Sequence, residues 1–405
     1  MLSTDLIAPG AAPARPRIPG VPVLGRASFS ASRQAARPRS VLDAGAVRMV
    51  TSGRIAIGLA LRQMGVGPGD VVLVPAYHSP SMIPPVLELG ARVRFYRIGP
   101  DASADLADLA AKADGVKALM VTHFFGFPQP LAALRALCDA RGMLLLEDCA
   151  HSFFGEYGGK PIGAWGDYAI ASSMKFFPIY EGGCLVSARD PLSAVVLHSA
   201  GAGFEAKVAL TTLENSFAQG RLPLLRALLW LPLAAKDLLW RALKARRPAT
   251  AGIGAPALAP ASSDSSYDFD PRWLDKRSSL FSRAVMRLAS RTRIGALRRS
   301  HYGALQAGLA GLPGWRPLHP ALPEHVYPWV FPLLADQPEQ LAAALTARGV
   351  PFVRFGETLW PGVDAGVCPV ALDLGRRMVA LPCHQELRAD EVDWLVAQVR
   401  AALRQ

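Results

Sequence analysis

Three short segments in the first half of the chain constrain its fold most. The apolar run Met143 to Leu146 ends in the sequence EDCAH at residues 147–151. Lys175 follows on a loop of small residues, and an EGG turn at residues 181–183 then leads into another apolar run. An apolar run that ends in acids is typical of a strand in an open α/β sheet, which binds ligands beyond the carboxyl ends of its strands.

This layout predicts a site for pyridoxal 5′-phosphate (PLP). Lys175 is placed to form a Schiff base with the cofactor aldehyde. Asp148 is placed to keep the pyridine nitrogen protonated, so that the ring withdraws electrons from the substrate Cα. Each residue alone is ambiguous, because an acid after a strand is more often a helix cap and a single lysine is more often solvated. Their order and spacing together favour the cofactor site.

Alternating segments between residues 52 and 186 predict an α/β fold, with a mainly parallel sheet and helices on both faces. The predicted strands are 71–74, 93–96, 118–122 and 143–146, and the predicted helices are 55–64, 84–89 and 131–140. A basic helix through His301 and Tyr302 and a terminal helix over 389–403 indicate a smaller α+β domain at the C-terminal end.

The length of 405 residues suits two domains with additions. The predicted division is an extended N-terminal arm over 1–45, a large domain over 46–204, an insert over 205–268, and a connecting helix with a small domain over 269–405. The arm has no long apolar run and is not expected to be a signal peptide.

The net charge of +12 comes mainly from basic residues between positions 221 and 299. That concentration favours an anionic surface or substrate, and no nucleic-acid-binding motif accompanies it. Nor does any metal-ligand spacing such as HExxH occur, so no metal site is predicted. An odd number of cysteines without CxxC spacing predicts reduced core residues in a cytoplasmic protein, at positions 138, 149, 184, 368 and 383.

Residues 222–247 are the most unusual segment and read LPLLRALLWLPLAAKDLLWRALKARR. Charged residues interrupt the apolar run, so a transmembrane span is not predicted. A basic face opposite a leucine face, flanked by Trp230 and Trp240, is typical of a helix that lies in the membrane interface. A helical hairpin packed against the protein or a sister subunit is the alternative, and both remain open.

The chain resembles the sugar aminotransferases of the DegT/DnrJ/EryC1/StrS family, which have PLP fold type I. The resemblance runs from about residue 48 to 403 and is interrupted over 205–265. Its motifs occur in the family's order: TSG at 51–53, GPGD at 67–70, HFFG at 123–126, EDCAH at 147–151, GAWGD at 163–167 and LPCHQEL at 381–387.

The resemblance implies a role for each matched residue. Lys175 would hold the cofactor and, once displaced, move the proton between the substrate Cα and C4′. Asp148 would pair with the pyridinium nitrogen, and His151 would lie near the cofactor's O3′. Ser52 and Gly53 would begin a helix whose free N–H groups receive the phosphate.

Two departures from the family pattern affect contacts with the cofactor. Arg54 replaces the usual threonine and is suited to bind phosphate through two hydrogen bonds. Ser79 replaces the aromatic residue that stacks on the cofactor ring. Stacking is therefore left to His78, to Tyr77 or to neither.

Two further departures concern phosphate binding. Two residues fewer than in the family separate Asp167 from Lys175, which places Ser172 like the phosphate-binding serine of the wider fold type I pattern. The family's Asn-x-Arg segment, which reaches a neighbour's active site, is replaced by residues 275–277, DKR. An aspartate near phosphate is unfavourable unless Lys276 or Arg277 compensates it. The acceptor pocket is therefore predicted to be atypical.

The implied activity is transfer of an amino group, usually from glutamate, to the keto group of a nucleotide-linked sugar for polysaccharide, glycolipid or natural-product biosynthesis. A lipid-linked or carrier-bound ketone or aldehyde is the alternative acceptor. A catalytically degenerate, membrane-associated scaffold is a third reading, and retention of Lys175 and Asp148 counts against it. The implied protein is a cytoplasmic homodimer, with peripheral contact of 222–247 to the inner face of the cell membrane.

Overall fold

A computed structural model describes residues 17–31, 36–231, 234 and 269–404. Its strands are β1 (Ala46–Val50), β2 (Val71–Pro75), β3 (Arg92–Tyr96), β4 (Ala118–Thr122), β5 (Leu144–Asp148), β6 (Glu156–Tyr157), β7 (Lys160–Pro161), β8 (Tyr168–Ser172), β9 (Gly183–Ser187), β10 (Trp315–Pro317), β11 (Val330–Ala335) and β12 (Met378–Pro382).

The α-helices alternate with groups of these strands along the chain. They are α1 (Gly53–Gln63), α2 (Pro84–Leu87), α3 (Leu106–Lys112), α4 (Leu131–Arg141), α5 (Ala202–Ala218), α6 (Pro223–Leu228), α7 (Leu280–Leu288), α8 (Arg291–Leu309), α9 (Pro338–Arg348), α10 (Pro369–Arg377) and α11 (Ala389–Leu403).

The large sheet has seven strands in the order β1-β9-β8-β5-β4-β2-β3. Strands β3, β2, β4, β5 and β8 run parallel, whereas β9 is antiparallel to both β8 and β1. The prediction of a mainly parallel sheet is therefore confirmed. Every residue of β2, β4 and β8 is buried, as expected of parallel strands that helices cover on both faces.

The C-terminal region forms a second, antiparallel sheet in the order β10-β11-β12. Tyr302 of α8 and Leu395 of α11 share one hydrophobic core with this sheet and with β2 and β4 of the large sheet. A continuous core of this kind fixes the loop before β11 against the large sheet, which matters for the site described below.

Helix α1 approaches the large sheet closely at its N-terminus. The Ser52 hydroxyl accepts a hydrogen bond from the Ile55 N–H group at 3.2 Å and so caps the helix. Gly183 makes the approach possible, because a Cβ atom at that position would lie 2.7 Å from the Gly53 nitrogen. The second glycine of the EGG turn is thus explained by packing against this helix N-terminus.

The N-terminal arm and α5 pack against the body of the protein. The Leu24 N–H group donates to the Ser216 hydroxyl of α5 at 3.0 Å, and Leu24 is itself buried. A ring nitrogen of His384 lies 2.9 Å from the Pro19 carbonyl oxygen. The described part of the arm is therefore attached to both the insert region and the C-terminal region.

Helix α6 is the described beginning of the apolar segment 222–247. Leu224, Leu228 and Trp230 are exposed by 78%, 76% and 61%. Residues 232–233 and 235–247 lie outside the described residues, so most of the predicted interfacial helix does too. Among the described residues, no helix combines the length and apolar character that a membrane crossing needs.

All five cysteines have free thiols and are buried. The prediction that they are reduced core residues is confirmed for the structure as described.

Candidate active site

A cavity of about 240 Å³ lies at the carboxyl ends of β4, β5 and β8, beside the N-terminus of α1. All the predicted site residues except His78 line this cavity: Ser52, Gly53, Arg54, Ser79, Asp148, His151, Ser172 and Lys175. Residues that are more than 100 positions apart in the sequence therefore meet at one edge of the sheet. This is the edge at the carboxyl ends of the strands, where open α/β sheets bind their ligands.

Lys175 ends a short 3-10 turn, Ser173–Lys175, that follows β8. Desolvation lowers the pKa of its ammonium group to about 8, and the charge of Asp148 partly offsets that effect. The Lys175 Nζ atom also lies 4.5 Å from the centre of the Trp329 ring. A lysine in this environment holds far more neutral amine near neutral pH than a solvated lysine does.

Asp148 ends β5 and is buried. Its Oδ1 atom accepts from the Ala150 N–H group at 2.9 Å, and its Oδ2 atom accepts from the Thr122 hydroxyl at 3.3 Å. Burial raises the pKa of the carboxyl group, whereas the Ala150 hydrogen bond and the positive charge of Lys175 oppose that rise. The carboxyl group is thus held in one orientation inside the cavity.

His151 is a neutral imidazole with a defined tautomer. Its Nδ1 atom accepts from the Phe125 N–H group at 3.4 Å, which assigns the ring proton to Nε2. Burial, together with the charge of Lys175, lowers the pKa of this histidine well below its ordinary value. The ring stacks on Trp329 with 4.0 Å between centroids. His151 therefore offers one N–H donor from a fixed ring.

The N-terminus of α1 forms the anion-binding side of the cavity. The first N–H groups of a helix have no partner within the helix, and they carry the positive end of its dipole. Gly53 leaves room there, because a Cβ atom on it would lie 3.5 Å from Cβ of Ser172. Arg54 follows on the helix and also lines the cavity. These residue types fit a phosphate group.

Neither aromatic candidate for stacking lines the cavity. His78 is buried elsewhere: its Nδ1 atom lies 2.9 Å from the Ala76 carbonyl oxygen, and its Nε2 atom accepts from the Trp360 N–H group at 3.1 Å. The predicted contact between His78 and the cofactor is therefore corrected. The Tyr77 hydroxyl donates to the Phe355 carbonyl oxygen at 2.8 Å. Ser79 does line the cavity, so this wall is hydroxylic rather than aromatic.

Residues that the sequence analysis missed also shape the site. Thr122 orients Asp148, Phe355 lines the cavity, and Trp329 contacts both His151 and Lys175. Thr122 ends the predicted strand 118–122, beside the strand that carries Asp148, and this register could have revealed it. Trp329 and Phe355 come from the C-terminal region, and no local motif indicates them.

The side chain of Arg298 on α8 is wholly buried and hydrogen-bonds to several segments around the site. Its Nη2 atom donates to the Lys175 carbonyl oxygen at 2.8 Å, and its Nη1 atom donates to the carbonyl oxygens of Pro328 and Trp329, each at 3.0 Å. Its Nε atom donates to Gln385 at 2.9 Å. Burial lowers the pKa of Arg298 to about 10, so the guanidinium stays charged at neutral pH.

Glu147, the neighbour of Asp148, does not line the cavity and has a structural role. Its carboxylate accepts from the N–H groups of Gly163, Trp165 and Gly166. The Gln129 N–H group donates to Nδ1 of His123, so the Nε2–H group of that ring donates to Glu147 at 3.1 Å. Among the described residues, His123, Glu147 and Cys149 are the group with metal-ligand atoms close together, but these hydrogen bonds already occupy the carboxylate.

Comparison with known proteins agrees with this geometry. The model of the DegT/DnrJ/EryC1/StrS aminotransferase family matches residues 39–217. GDP-perosamine synthase of Vibrio cholerae is 32% identical over 145 residues, which are 35% of this chain and 40% of that protein. The dTDP-3-amino-3,4,6-trideoxy-alpha-D-glucose transaminase of Streptomyces venezuelae is 35% identical over 138 residues, which are 33% of this chain and 35% of that protein. The matched residues thus span less than half the length of these curated relatives.

Solved structures resemble a larger part of the chain. The aminotransferase TlmJ from Streptoalloteichus hindustanus has 21% identity and a TM-score of 0.62, with 95% of this chain and 98% of that chain covered. DesV of S. venezuelae has 21% identity and a TM-score of 0.60, with 90% and 87% covered. The fold is therefore PLP fold type I, as predicted. The match to the model of the DegT/DnrJ/EryC1/StrS aminotransferase family covers residues 39–217, which are less than half of the chain.

Proposed function

We propose that the chain is a PLP-dependent aminotransferase. The observation that carries the proposal is the meeting of Lys175 and Asp148 in one cavity that also contains the N-terminus of α1. An amine with a lowered pKa, a buried carboxyl group and an anion-binding helix end match the aldehyde, the ring nitrogen and the phosphate of PLP. The family match over residues 39–217 supports the same conclusion.

Each residue then has a defined task. When bound, PLP supplies an electron sink that stabilises negative charge at the substrate carbon. Lys175 would hold the cofactor and, once the substrate amine had displaced it, its Nζ atom would accept and return the substrate proton. The Asp148 carboxylate would accept a charge-assisted hydrogen bond from the protonated ring nitrogen and so keep the proton on that nitrogen. His151 would donate a hydrogen bond from Nε2 to the ring oxygen.

The phosphate is held by the N-terminus of α1. Ser52 and Gly53 supply that helix end, and Arg54 and Ser172 line the same cavity. A guanidinium can donate two parallel hydrogen bonds to phosphate, which compensates for the missing threonine. Because Ser79 stands where the family has an aromatic residue, this position would offer the cofactor a hydroxyl group and no ring for stacking.

The substrates that we propose are glutamate as the amino donor and a nucleotide-linked keto sugar as the acceptor. Two relatives are named for such nucleotide-linked amino sugars, a GDP-perosamine synthase and a dTDP-linked transaminase. The product would serve polysaccharide, glycolipid or natural-product biosynthesis. A lipid-linked or carrier-bound acceptor is the second candidate, which the exposed leucines of α6 favour.

We also propose that the enzyme is a homodimer in which residues 275–277 lie near the partner's site. Within its own chain, Arg277 donates to the Leu197 carbonyl oxygen at 2.7 Å, and Lys276 pairs with Asp275 at 3.1 Å. Light scattering is expected to give twice the chain mass. In a mixture of Lys175→Ala and Lys276→Glu proteins, activity should reappear if each subunit completes the other's site. A fully active monomer would contradict the proposal.

The remaining part of the proposal is cytoplasmic location with peripheral membrane contact through 222–247. Leu224, Leu228 and Trp230 are exposed, which costs free energy in water and is expected where apolar side chains meet another surface. Arg226 lies among them on α6. Leucine and tryptophan beside a cation suit the interface of an anionic bilayer.

The double substitution Leu224→Glu and Leu228→Glu tests the membrane contact. Wild-type protein should sediment with vesicles that contain phosphatidylglycerol and be released partly by salt, because salt screens attraction to the surface. The double variant should remain in the supernatant. Leu87→Glu, a matched change of an exposed leucine on α2, should sediment like the wild type. Equal sedimentation of both variants would remove the membrane proposal.

The central assignment is tested at Lys175 and Asp148. Borohydride should attach the cofactor covalently to the peptide that contains Lys175, as mass spectrometry would show. Lys175→Ala should abolish both that attachment and turnover, whereas Lys160→Ala, a change of an exposed lysine, should preserve them. Asp148→Asn should still bind the cofactor through its phosphate. It should lose about 2 kcal/mol of charge-assisted hydrogen bonding to the ring nitrogen, which corresponds to a roughly 30-fold lower rate. Normal turnover in either site variant would refute the assigned roles.

Arg298 is proposed as a positioning residue, because it holds the main chain of Lys175 and of Trp329. In wild-type apoprotein, covalent capture of PLP should increase as pH rises through about 8, where the amine becomes neutral. Arg298→Lys retains the charge but not the forked donor, so the cavity should admit water. The midpoint of capture should then shift upward, toward the ordinary pKa of lysine.

The control is Arg316→Lys, at an exposed position of β10. It should change neither the midpoint of capture nor the free energy of unfolding. If Arg298→Lys lowers the unfolding temperature but leaves the midpoint unchanged, Arg298 stabilises the fold without positioning Lys175.

A further inference from the structure

A second cavity, of about 520 Å³, lies beside the edge strand β1 between the N-terminal arm and α7. Four arginines line it and are called its rim: Arg37, Arg283, Arg287 and Arg291. Its apolar lining residues, called its floor, include Leu42, Met49, Met286 and Ala289. None of the residues that line it also lines the cavity around Lys175. It is therefore a separate feature, which the proposed aminotransferase chemistry does not use.

The positive charge of this rim is poorly compensated. Asp43 is the carboxylate paired with it among the described residues, at 3.6 Å from Arg291 and 3.8 Å from Arg37. Its Oδ2 atom also accepts from the Ser40 N–H group and hydroxyl, each at 2.8 Å. Burial and the charge of Arg37 lower the pKa of Arg291. Like charges gathered around one concavity raise the free energy of the protein unless an anion binds.

Two of the guanidinium groups are held in place before any ligand binds. The Arg283 Nε atom donates to the Ser278 carbonyl oxygen at 3.1 Å, and the Arg291 Nη1 atom donates to the Ser40 hydroxyl at 3.3 Å. Arg287 follows Arg283 by four residues on α7, so their side chains lie on neighbouring turns of the same helix face. Groups that are already oriented lose less conformational entropy on binding.

We propose that this cavity binds a phosphate or diphosphate group that carries an apolar or aromatic substituent. Arginine forks match phosphate oxygens in geometry and charge, and the methionine and leucine floor would cover the substituent. The volume lies within the usual range for small-molecule sites. The ligand could be a soluble organic phosphate or the phosphate headgroup of a lipid, which share this chemistry. This inference does not depend on the proposed transaminase activity.

The first arm of the test measures binding of inorganic pyrophosphate by calorimetry. Full-length protein saturated with PLP is used, so that the N-terminus of α1 does not compete for the probe. Each arginine removed should weaken binding about tenfold, so Arg283→Gln with Arg287→Gln should weaken it on the order of 100-fold. Arg316→Gln removes one such charge, at an exposed position of β10, and should leave binding unchanged. The single variant Arg287→Gln, at an exposed position, covers the case that the double variant does not fold.

The second arm distinguishes the two sources of phosphate. Leu280 and Leu288 are each 65% exposed on α7 and would meet acyl chains if a lipid headgroup were bound. For a lipid ligand, the arginine double variant should lose sedimentation with phosphatidylglycerol vesicles even though α6 is unchanged. For a soluble ligand, the variant should lose pyrophosphate binding alone.

Three outcomes would overturn the inference. One is that wild-type protein binds neither pyrophosphate nor anionic vesicles. Another is that the arginine variants bind both probes as tightly as Arg316→Gln does. The last is that Arg287→Gln changes the mass measured by light scattering, since the cavity would then be an interface between copies of the chain.

Discussion

The buried guanidinium of Arg298 is the interaction on which the site depends. A wholly buried charge without a carboxylate partner is costly unless every donor is used. Here carbonyl oxygens from Lys175, Pro328 and Trp329, together with the Gln385 side chain, accept its hydrogen bonds. These acceptors belong to the large sheet's loop and to the C-terminal region. Loss of the common donor would leave several buried acceptors unpaired at once, so the regions are held together around the lysine.

The same enclosure gives the site its electrostatic character. Lys175 has a lowered pKa and Asp148 a raised one, in each case because desolvation disfavours the charged form. Both groups are therefore held at a free-energy cost that the fold must offset elsewhere. A bound cofactor with a cationic ring nitrogen and an anionic phosphate would reduce that cost, so binding should stabilise the folded protein. Such strained titratable pairs are common at functional sites.

Local sequence signals predicted the parts of the site that lie on consecutive elements of one sheet. Strand 118–122 and helix 389–403 have the predicted bounds. Asp148 and Lys175 could be predicted because Asp148 ends a strand of the sheet and Lys175 closely follows another. The sequence does not indicate that the His78 ring bonds to the Ala76 carbonyl oxygen and the Trp360 N–H group, because Trp360 lies 282 positions away in the chain. Arg298 and the aromatic Trp329 could not be found in this way, since their contacts form only when the two sheets share a core.

Glu181 lies between the cavity around Lys175 and the arginine-rimmed cavity in the network of hydrogen bonds. It belongs to the loop after Lys175, and its Oε1 atom accepts from the Ser278 hydroxyl and from the N–H group and hydroxyl of Ser279. Ser279 caps α7, the helix that carries Arg283 and Arg287. The EGG turn therefore has two structural tasks: Gly183 admits the N-terminus of α1, and Glu181 anchors α7. One short turn therefore contacts a helix at each of the two cavities, the one around Lys175 and the arginine-rimmed one, even though the cavities share no lining residue.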